Sequence, residues 1–108
     1  MNTELPSVIA TFFRAFNRRE THDIGALFTD SAVVIDEEQT YRGAAIKGWV
    51  EEATTQYQPI AEVTDFIRQS DKIIVTAQVS GTFPGSPAQI RYNFTLENDK
   101  IAALNIGA

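Results

Sequence analysis

The sequence predicts an α+β domain in which three N-terminal helices pack on a curved, mainly antiparallel sheet. Up to Tyr57, apolar residues recur at the three- and four-residue spacing of amphipathic helices. After Pro59 the spacing changes, and the chain becomes rich in β-branched and aromatic residues separated by turn sequences. Helices followed by strands are typical of α+β domains, whose helices cover one face of the sheet.

The first two helices follow from capping residues and apolar spacing. The first is predicted from about residue 4 to residue 18, with Thr3 as its N-cap. Its apolar residues give it one aromatic face: Leu5, Val8, Ile9, Phe12, Phe13 and Phe16. A second, short helix is predicted with Thr21 as its cap, from the spacing of Ile24, Leu27 and Phe28, and Asp30-Ser31 ends it.

A hairpin and a third helix come next. Residues 32–36 are predicted to form a strand, residues 37–39 a turn, and residues 40–42 a short return strand. Gly43 opens the third helix and Pro59 ends it. The apolar stripe of this helix is Ile46, Trp49, Val50, Ala53 and Tyr57.

Four long strands complete the prediction. They are expected at residues 60–69, 73–83, 88–97 and 100–106. In the third of them, apolar residues such as Tyr92 and Phe94 alternate with polar ones such as Arg91 and Asn93. One face of the sheet is therefore expected to be buried and the other solvated.

Composition limits both the size of the protein and its partners. A chain of 108 residues buries one hydrophobic core, so we expect a single domain over residues 1–108 with any site built into that core. Nine basic and fourteen acidic residues give a net charge of -5, and no basic cluster indicates nucleic-acid binding. No apolar stretch approaches the roughly 20 residues that span a membrane, and no signal-peptide pattern is present, so a cytoplasmic location is expected.

The supply of metal-binding and redox-active side chains is small. The chain has no cysteine and a single histidine, His22, which is expected at the surface in the first turn of the short helix. A disulfide, a thiolate nucleophile or a zinc site is therefore not expected. We expect no metal and no cofactor.

Three stretches carry a family resemblance that covers nearly the whole chain. They are Leu27-Phe28-Thr29-Asp30-Ser31-Ala32-Val33-Val34, Tyr41-Arg42-Gly43, and Phe94-Thr95-Leu96-Glu97-Asn98-Asp99-Lys100-Ile101. With the order of elements, they resemble the SnoaL-like branch of the nuclear transport factor 2-like superfamily, which includes ketosteroid isomerases, polyketide cyclases, epoxide hydrolases, dehydratases and members without catalysis. The resemblance implies a cone-shaped α+β barrel wrapped around the first helix, with an apolar small-molecule pocket at its open end.

The resemblance also implies roles for individual residues. Asp36 ends a stretch similar to the one that carries the proton-shuttling aspartate of ketosteroid isomerases, and Trp49 falls where those enzymes have a pocket-lining phenylalanine. Tyr92 stands at the position of their oxyanion-stabilising carboxylic acid. Their first-helix tyrosine has no counterpart among Phe12, Phe13 and Phe16.

Asp36 and Tyr92 are therefore the candidate catalytic pair. Removing a proton next to a carbonyl needs a base, which Asp36 supplies, and a hydrogen-bond donor to the oxygen, which Tyr92 supplies. Alternatively, Asp36 accepts N–H bonds from the Glu37-Glu38 turn, and Tyr92 is a core residue. Since losing one oxyanion donor costs roughly 10²- to 10³-fold in rate, a single phenol predicts weak catalysis or a less demanding substrate.

Two functional classes are consistent with these residues. One is an isomerase, cyclase or lyase that moves a proton through Asp36, and the other is a non-catalytic ligand-binding or assembly module. The predicted ligand-binding residues are shared by both: Phe12, Phe16, Trp49, Tyr92 and Phe94. An epoxide hydrolase would need Asp36, Arg91 and a third residue such as Asp65 around one water. A homodimer is expected through the outer face of the sheet, at residues such as Ile74 and Thr76.

Overall fold

The computed structural model describes residues 5–107 and contains two α-helices, one 3₁₀ helix and six strands. The α-helices are α1 (Ser7–Arg18) and α2 (Ala45–Tyr57), and the 3₁₀ helix is Ile24–Leu27. The strands are β1 (Phe28–Asp36), β2 (Gln39–Arg42), β3 (Ile60–Gln69), β4 (Lys72–Ser80), β5 (Ala88–Glu97) and β6 (Lys100–Gly107). Neither α-helix in this part of the chain is long and apolar enough to cross a membrane.

The six strands form one sheet in the order β2-β1-β6-β5-β4-β3. Only β1 and β6 pair in parallel, so the sheet is mainly antiparallel, as predicted. The register shifts within three pairs, β1–β6, β3–β4 and β5–β6. Such irregularities bend and twist the strands. The sheet therefore curves around the helices on its inner face.

Helix α1 forms the centre of the core. Its aromatic face is buried, as the apolar spacing predicted: Ile9, Phe12, Phe13 and Phe16. The helix begins after Pro6 and ends at Arg19 in the left-handed conformation, while the predicted cap Thr3 lies outside the described residues. The Asn17 side-chain amide accepts the N–H of Ala61 at 2.7 Å and donates to its carbonyl at 2.9 Å. Since β3 is an edge strand, this bonding pattern fixes α1 to the rim of the sheet.

The prediction of three helices was wrong in its second member. Residues 24–27 form only a single 3₁₀ turn, and Phe28 already belongs to β1, where it pairs with Ile101. Asp30 and Ser31, predicted to end a helix, lie inside this strand. Parallel pairing with β6 at Phe28, and again from Val33 onwards, keeps this segment extended, whereas a helix this short is only marginally stable.

The hairpins fix which side chains face the core. Glu37 and Glu38 have φ values of 51° and 66°, and Asn98 and Asp99 have values of 51° and 64°. Positive φ at both central residues is typical of the two-residue turn that matches the twist of paired strands. The turn pairs Asp36 with Gln39 and so sets the register of the β1–β2 hairpin.

The later elements lie close to where the sequence predicted them. Helix α2 ends at Tyr57, Gln58 is left-handed, and Pro59 follows. The strand predicted at residues 73–83 ends earlier, at Ser80, because residues 81–87 form a loop. Along β5, Tyr92 and Phe94 are buried while Arg91 and Asn93 are exposed, so the predicted alternation is confirmed.

Candidate functional site

A cavity of about 330 Å³ lies between α2 and the inner face of the sheet. The end of the β1–β2 hairpin and the loop after β4 form its other walls. Its lining includes six aromatic side chains, Phe16, Tyr41, Trp49, Tyr57, Phe83 and Tyr92. It also includes three carboxylates, Asp36, Glu37 and Glu52.

Asp36 is placed in the cavity wall by strand alternation. Val34 is fully buried and Ile35 is 37% exposed, so Asp36 faces inward again, half-buried, where β1 ends. Its Oδ2 accepts a hydrogen bond of 3.0 Å from Nε1 of Trp49. Within residues 5–107, no backbone N–H of the following turn bonds to this carboxylate. The alternative of Asp36 as a turn-capping residue therefore has no contact to support it.

Trp49 connects helix α2 to the end of β1. The helix buries this side chain to 6% exposure, and its ring lies 6.0 Å from that of Tyr41 on β2, centroid to centroid. The indole has one donor, and that donor is used on Asp36. The carboxylate is consequently held by one oxygen, while Oδ1 has no hydrogen-bond partner among the described residues.

Tyr92 reaches the cavity from the inner face of β5. The side chain is 3% exposed, and its ring packs edge-on against Phe13 at 5.0 Å and stacks with Phe94 at 6.3 Å. In the described part of the chain, the hydroxyl of Tyr92 has no hydrogen-bond partner in the protein. Every fully buried side-chain polar atom there does have a partner, so this hydroxyl is not fully buried and opens into the cavity. Burial raises the pKa of this phenol well above its ordinary value, and the negative charge of Asp36 raises it further. Tyr92 is thus a neutral donor at physiological pH.

Two predicted ligand-binding residues lie outside the cavity lining. Phe12 is fully buried, and its ring contacts those of Phe13, Phe16, Phe28 and Phe94. Phe94 is 1% exposed, two positions beyond Tyr92 on the same inner face. Both side chains lie in the packed core between α1 and the sheet, where the ring of Phe12 contacts that of Phe94 and leaves no space for a ligand. Phe16, Trp49 and Tyr92 do line the cavity.

The three residues considered for an epoxide hydrolase, Asp36, Arg91 and Asp65, do not lie together. Arg91 is exposed on the outer face of β5, on the opposite side of the sheet from Tyr92. It stands opposite Thr76, which in turn stands opposite Asp65, so both charged residues are on the outer face. Only Asp36 of this trio lines the cavity. His22 is exposed, as predicted, and lies 3.1 Å from Asp23.

Sequence reasoning missed several lining residues. Glu52 and Gln56 follow Trp49 by three and seven positions on α2, so helical spacing was a usable signal for them. Tyr57 was predicted only as the last residue of the apolar stripe of this helix, and it also lines the cavity. Phe83 lies in a loop, where no periodic pattern shows which way a side chain points.

The loop that carries Phe83 is fixed to the end of α2. The Tyr57 carbonyl accepts the Thr82 N–H at 2.8 Å and the Thr82 hydroxyl at 3.1 Å. The rings of Tyr57 and Phe83 meet edge to face at 6.0 Å. This side of the cavity is therefore closed by backbone and ring contacts together.

Comparison with known proteins identifies the family. A model of the SnoaL-like domain matches residues 9–104. The chain belongs to the SnoaL-like family. The predicted superfamily is thereby confirmed, and with it the curved α+β fold.

Solved structures extend this result. A putative polyketide cyclase from Sinorhizobium meliloti is 36% identical to this SnoaL-like protein, with 95% of each chain covered and a TM-score of 0.92. A hypothetical protein with a ketosteroid isomerase-like fold from Catenulispora acidiphila, solved in complex with trimethylamine, is 17% identical over 97% of this chain and 87% of its own, with a TM-score of 0.85. A protein from Sphaerobacter thermophilus is 23% identical over 98% and 96%, with a TM-score of 0.77. No curated protein sequence matches the chain significantly.

Proposed function

We propose that this SnoaL-like protein binds a small, largely apolar molecule and moves a proton on it, as isomerases, cyclases and lyases do. Asp36 is the base and Tyr92 the hydrogen-bond donor. The observation that carries the proposal is that both residues line one cavity and that the charge of Asp36 acts on the Tyr92 phenol. A base and a donor facing one space are the minimum for proton transfer next to a carbonyl.

Asp36 and Tyr92 have different roles in the proposed reaction. Trp49 holds Oδ2 of Asp36, so Oδ1 is the oxygen that takes the proton from the substrate carbon. Negative charge then develops on the substrate oxygen, which accepts a hydrogen bond from the Tyr92 hydroxyl. The proton returns from Asp36 to another carbon in an isomerisation. In a cyclisation the substrate carbanion instead attacks a second carbonyl of the substrate, the C=O π bond opens to an alkoxide, and this oxygen takes the proton from Asp36.

The solved relative from Sinorhizobium meliloti supports this reaction class, since it is described as a putative polyketide cyclase and is 36% identical over 95% of the chain. Carbon–carbon ring closure of the aldol type begins with removal of a proton next to a carbonyl. The same aspartate–tyrosine pair would serve that step.

Exchange of deuterium into small cyclic ketones tests the proposal without knowledge of the natural substrate. Proton NMR in D₂O follows the loss of the signal next to the carbonyl. We expect the wild type to exceed the buffer rate and Asp36→Asn to fall to it. Tyr92→Phe should lower the rate by roughly 10²- to 10³-fold, as expected for a lost oxyanion donor. Asp65→Asn, on the outer face, is the control and should match the wild type.

One observation favours the second candidate, a non-catalytic ligand-binding module. Helix α1 presents the ring of Phe16 to the cavity and no hydroxyl, and the Trp49 N–H is used on Asp36. Among the described lining residues, Tyr92 is therefore the one buried side chain with a donor left for a ligand. Binding of a ketone without any exchange above the buffer rate would support the binding module. Exchange that survives in Asp36→Asn would contradict the role of Asp36.

We also propose that two copies of the chain pair through the outer face of the sheet. Ile67 and Ile74 stand opposite each other there, and Ile67 is 52% exposed. Burial of such apolar surface between identical faces is the usual basis of a two-fold dimer. The cytoplasmic location stays a prediction from the sequence.

A further inference from the structure

The charged side chains of the cavity wall are all of one sign. Asp36 and Glu37 reach it from the β1–β2 hairpin and Glu52 from α2, whereas no lysine, arginine or histidine of the described chain lines it. An anionic ligand would meet these carboxylates without a cation to offset them. A positively charged ligand would meet complementary charge from two sides.

Aromatic rings cover much of the remaining wall. Trp49, Tyr41 and Tyr57 line it beside the acidic residues, and Phe16, Phe83 and Tyr92 also contribute. The face of an aromatic ring carries negative potential and attracts ammonium groups, most strongly for tryptophan. Rings and carboxylates around one cavity therefore favour a cation that also has an apolar body.

The unpartnered hydroxyl of Tyr92 is a separate indication that a polar ligand belongs here. Tyr92 is 3% exposed, and within residues 5–107 its hydroxyl bonds to no protein group although it opens into the cavity. Because this hydroxyl has access to the cavity, it can donate a hydrogen bond to a ligand atom there. Tyr92 therefore offers one buried hydrogen-bond donor to the occupant of the cavity.

We propose that the cavity selects a small organic cation, a protonated or quaternary amine with an apolar body. This inference rests on the proposed function, because it names the ligand class of that same pocket. A metal ion is the less suitable occupant, since the described residues contain no group of three or more acidic or histidine side chains placed to hold one. The volume of about 330 Å³ is at the lower end of ligand pockets, which limits the body to roughly one ring.

Three probes of the same shape and different charge test the selection. They are cyclohexylmethylamine, cyclohexylmethanol and cyclohexanecarboxylate, which are cationic, neutral and anionic at neutral pH. Trp49 is the only tryptophan of the chain and lines the cavity, so its fluorescence reports binding directly. We expect the amine to bind about tenfold more tightly than the alcohol, and the carboxylate to bind most weakly.

A matched pair of variants separates the pocket from the net charge of the protein. Both Glu52 and Glu62 are exposed, but only Glu52 lines the cavity. Glu52→Gln therefore removes a carboxylate of the cavity wall, and Glu62→Gln removes one on β3 outside it. Both raise the net charge by the same amount. We expect Glu52→Gln to weaken binding of the amine by about threefold, as for a partly screened charge, and to leave binding of the alcohol unchanged. Glu62→Gln should bind both probes as the wild type does.

The outcomes that overturn the inference are distinct from those that overturn the proposed function. An alcohol that binds as tightly as the amine, or equal effects of Glu52→Gln and Glu62→Gln, would show that the pocket does not select cations. The deuterium-exchange result would then still stand on its own. Conversely, tight amine binding without ketone exchange would support the cation site while contradicting proton transfer.

Discussion

Asp36 and Tyr92 are held at the cavity by different interactions. A hydrogen bond from Trp49 fixes the carboxylate, whereas ring packing against Phe13 and Phe94 fixes the phenol. The carboxylate therefore keeps one oxygen free in a defined direction. The phenol keeps its proton because burial and the nearby negative charge both oppose its ionisation.

The raised pKa of Tyr92 predicts a loss of stability in alkali. Above the ordinary tyrosine pKa of 10.0, the unfolded chain loses this proton while the folded chain keeps it. The unfolded state then binds fewer protons, so the free energy of unfolding falls by up to about 1.4 kcal/mol per pH unit until the folded phenol ionises. Below about pH 10 this contribution is fully present.

Urea unfolding of the wild type and of Tyr92→Phe at about pH 9 and about pH 11 measures the effect. The wild type should lose about 1 kcal/mol more than the variant between the two pH values. Asp36→Asn should keep most of the effect, because burial is the larger cause of the raised pKa. An equal loss in wild type and Tyr92→Phe would mean that the phenol ionises alike in both states.

The sequence predicted only part of which residues line the cavity and how they are held there. The family resemblance predicted that Asp36 and Tyr92 face one pocket, strand alternation predicted the inward face of Tyr92, and both residues line the cavity. The Trp49–Asp36 hydrogen bond joins residues 13 positions apart on different elements, so no periodic pattern reveals it. Phe94 was predicted to line the cavity because alternation shows that it is on the inner face of its strand. Alternation does not show how far along that face the cavity extends.

At the scale of elements, the loop at residues 81–87 depends on one close approach. An added Cβ at Gly81 would lie 2.6 Å from the Tyr57 carbonyl oxygen and 3.2 Å from the Phe83 ring. That carbonyl belongs to the end of α2 and cannot move without loosening the loop. Glycine at this position therefore permits the contact that closes the cavity.

Gly81→Ala is consequently expected to destabilise the protein by about 1–3 kcal/mol, as overpacking does. Gly48→Ala is the matched control, since Gly48 is an exposed residue inside α2 with no atom within 4 Å of the added Cβ. It should stabilise the protein by roughly 0.5–1 kcal/mol, because alanine favours helix. Chemical denaturation compares the two, and equal effects would argue against the close contact at Gly81.

Element positions were predicted well where two signals agreed. The strands at 60–69 and 88–97 match β3 and β5 because alternation and flanking turn residues indicate the same boundaries. The second helix failed because the spacing of Ile24, Leu27 and Phe28 fits one 3₁₀ turn followed by a strand as well as it fits a helix. Parallel pairing with β6, which decides between them, is a long-range interaction.

At the scale of the whole molecule, the two faces of the sheet have different surroundings. The inner face is covered by the helices and forms the cavity wall, whereas the outer face has no covering element in residues 5–107. Ile35 and Ile67 are exposed on that face to 37% and 52%. The alternation of the strands thus places the proposed ligand-binding cavity on one side of the sheet and the proposed dimer surface on the other.

The proposed dimer is tested at this outer face. Light scattering after size-exclusion chromatography should give twice the chain mass of 12.0 kDa for the wild type. Ile67→Glu and Ile74→Glu place like charges opposite each other across a two-fold interface, so both should give single chains. Ala10→Glu, exposed on α1 on the other side of the sheet, adds the same charge and should remain a dimer. Unfolding transitions of all three variants show whether each is folded. A wild-type protein that runs as one chain at tens of micromolar would contradict the dimer, while the cavity and its chemistry, which need only one copy, would be unaffected.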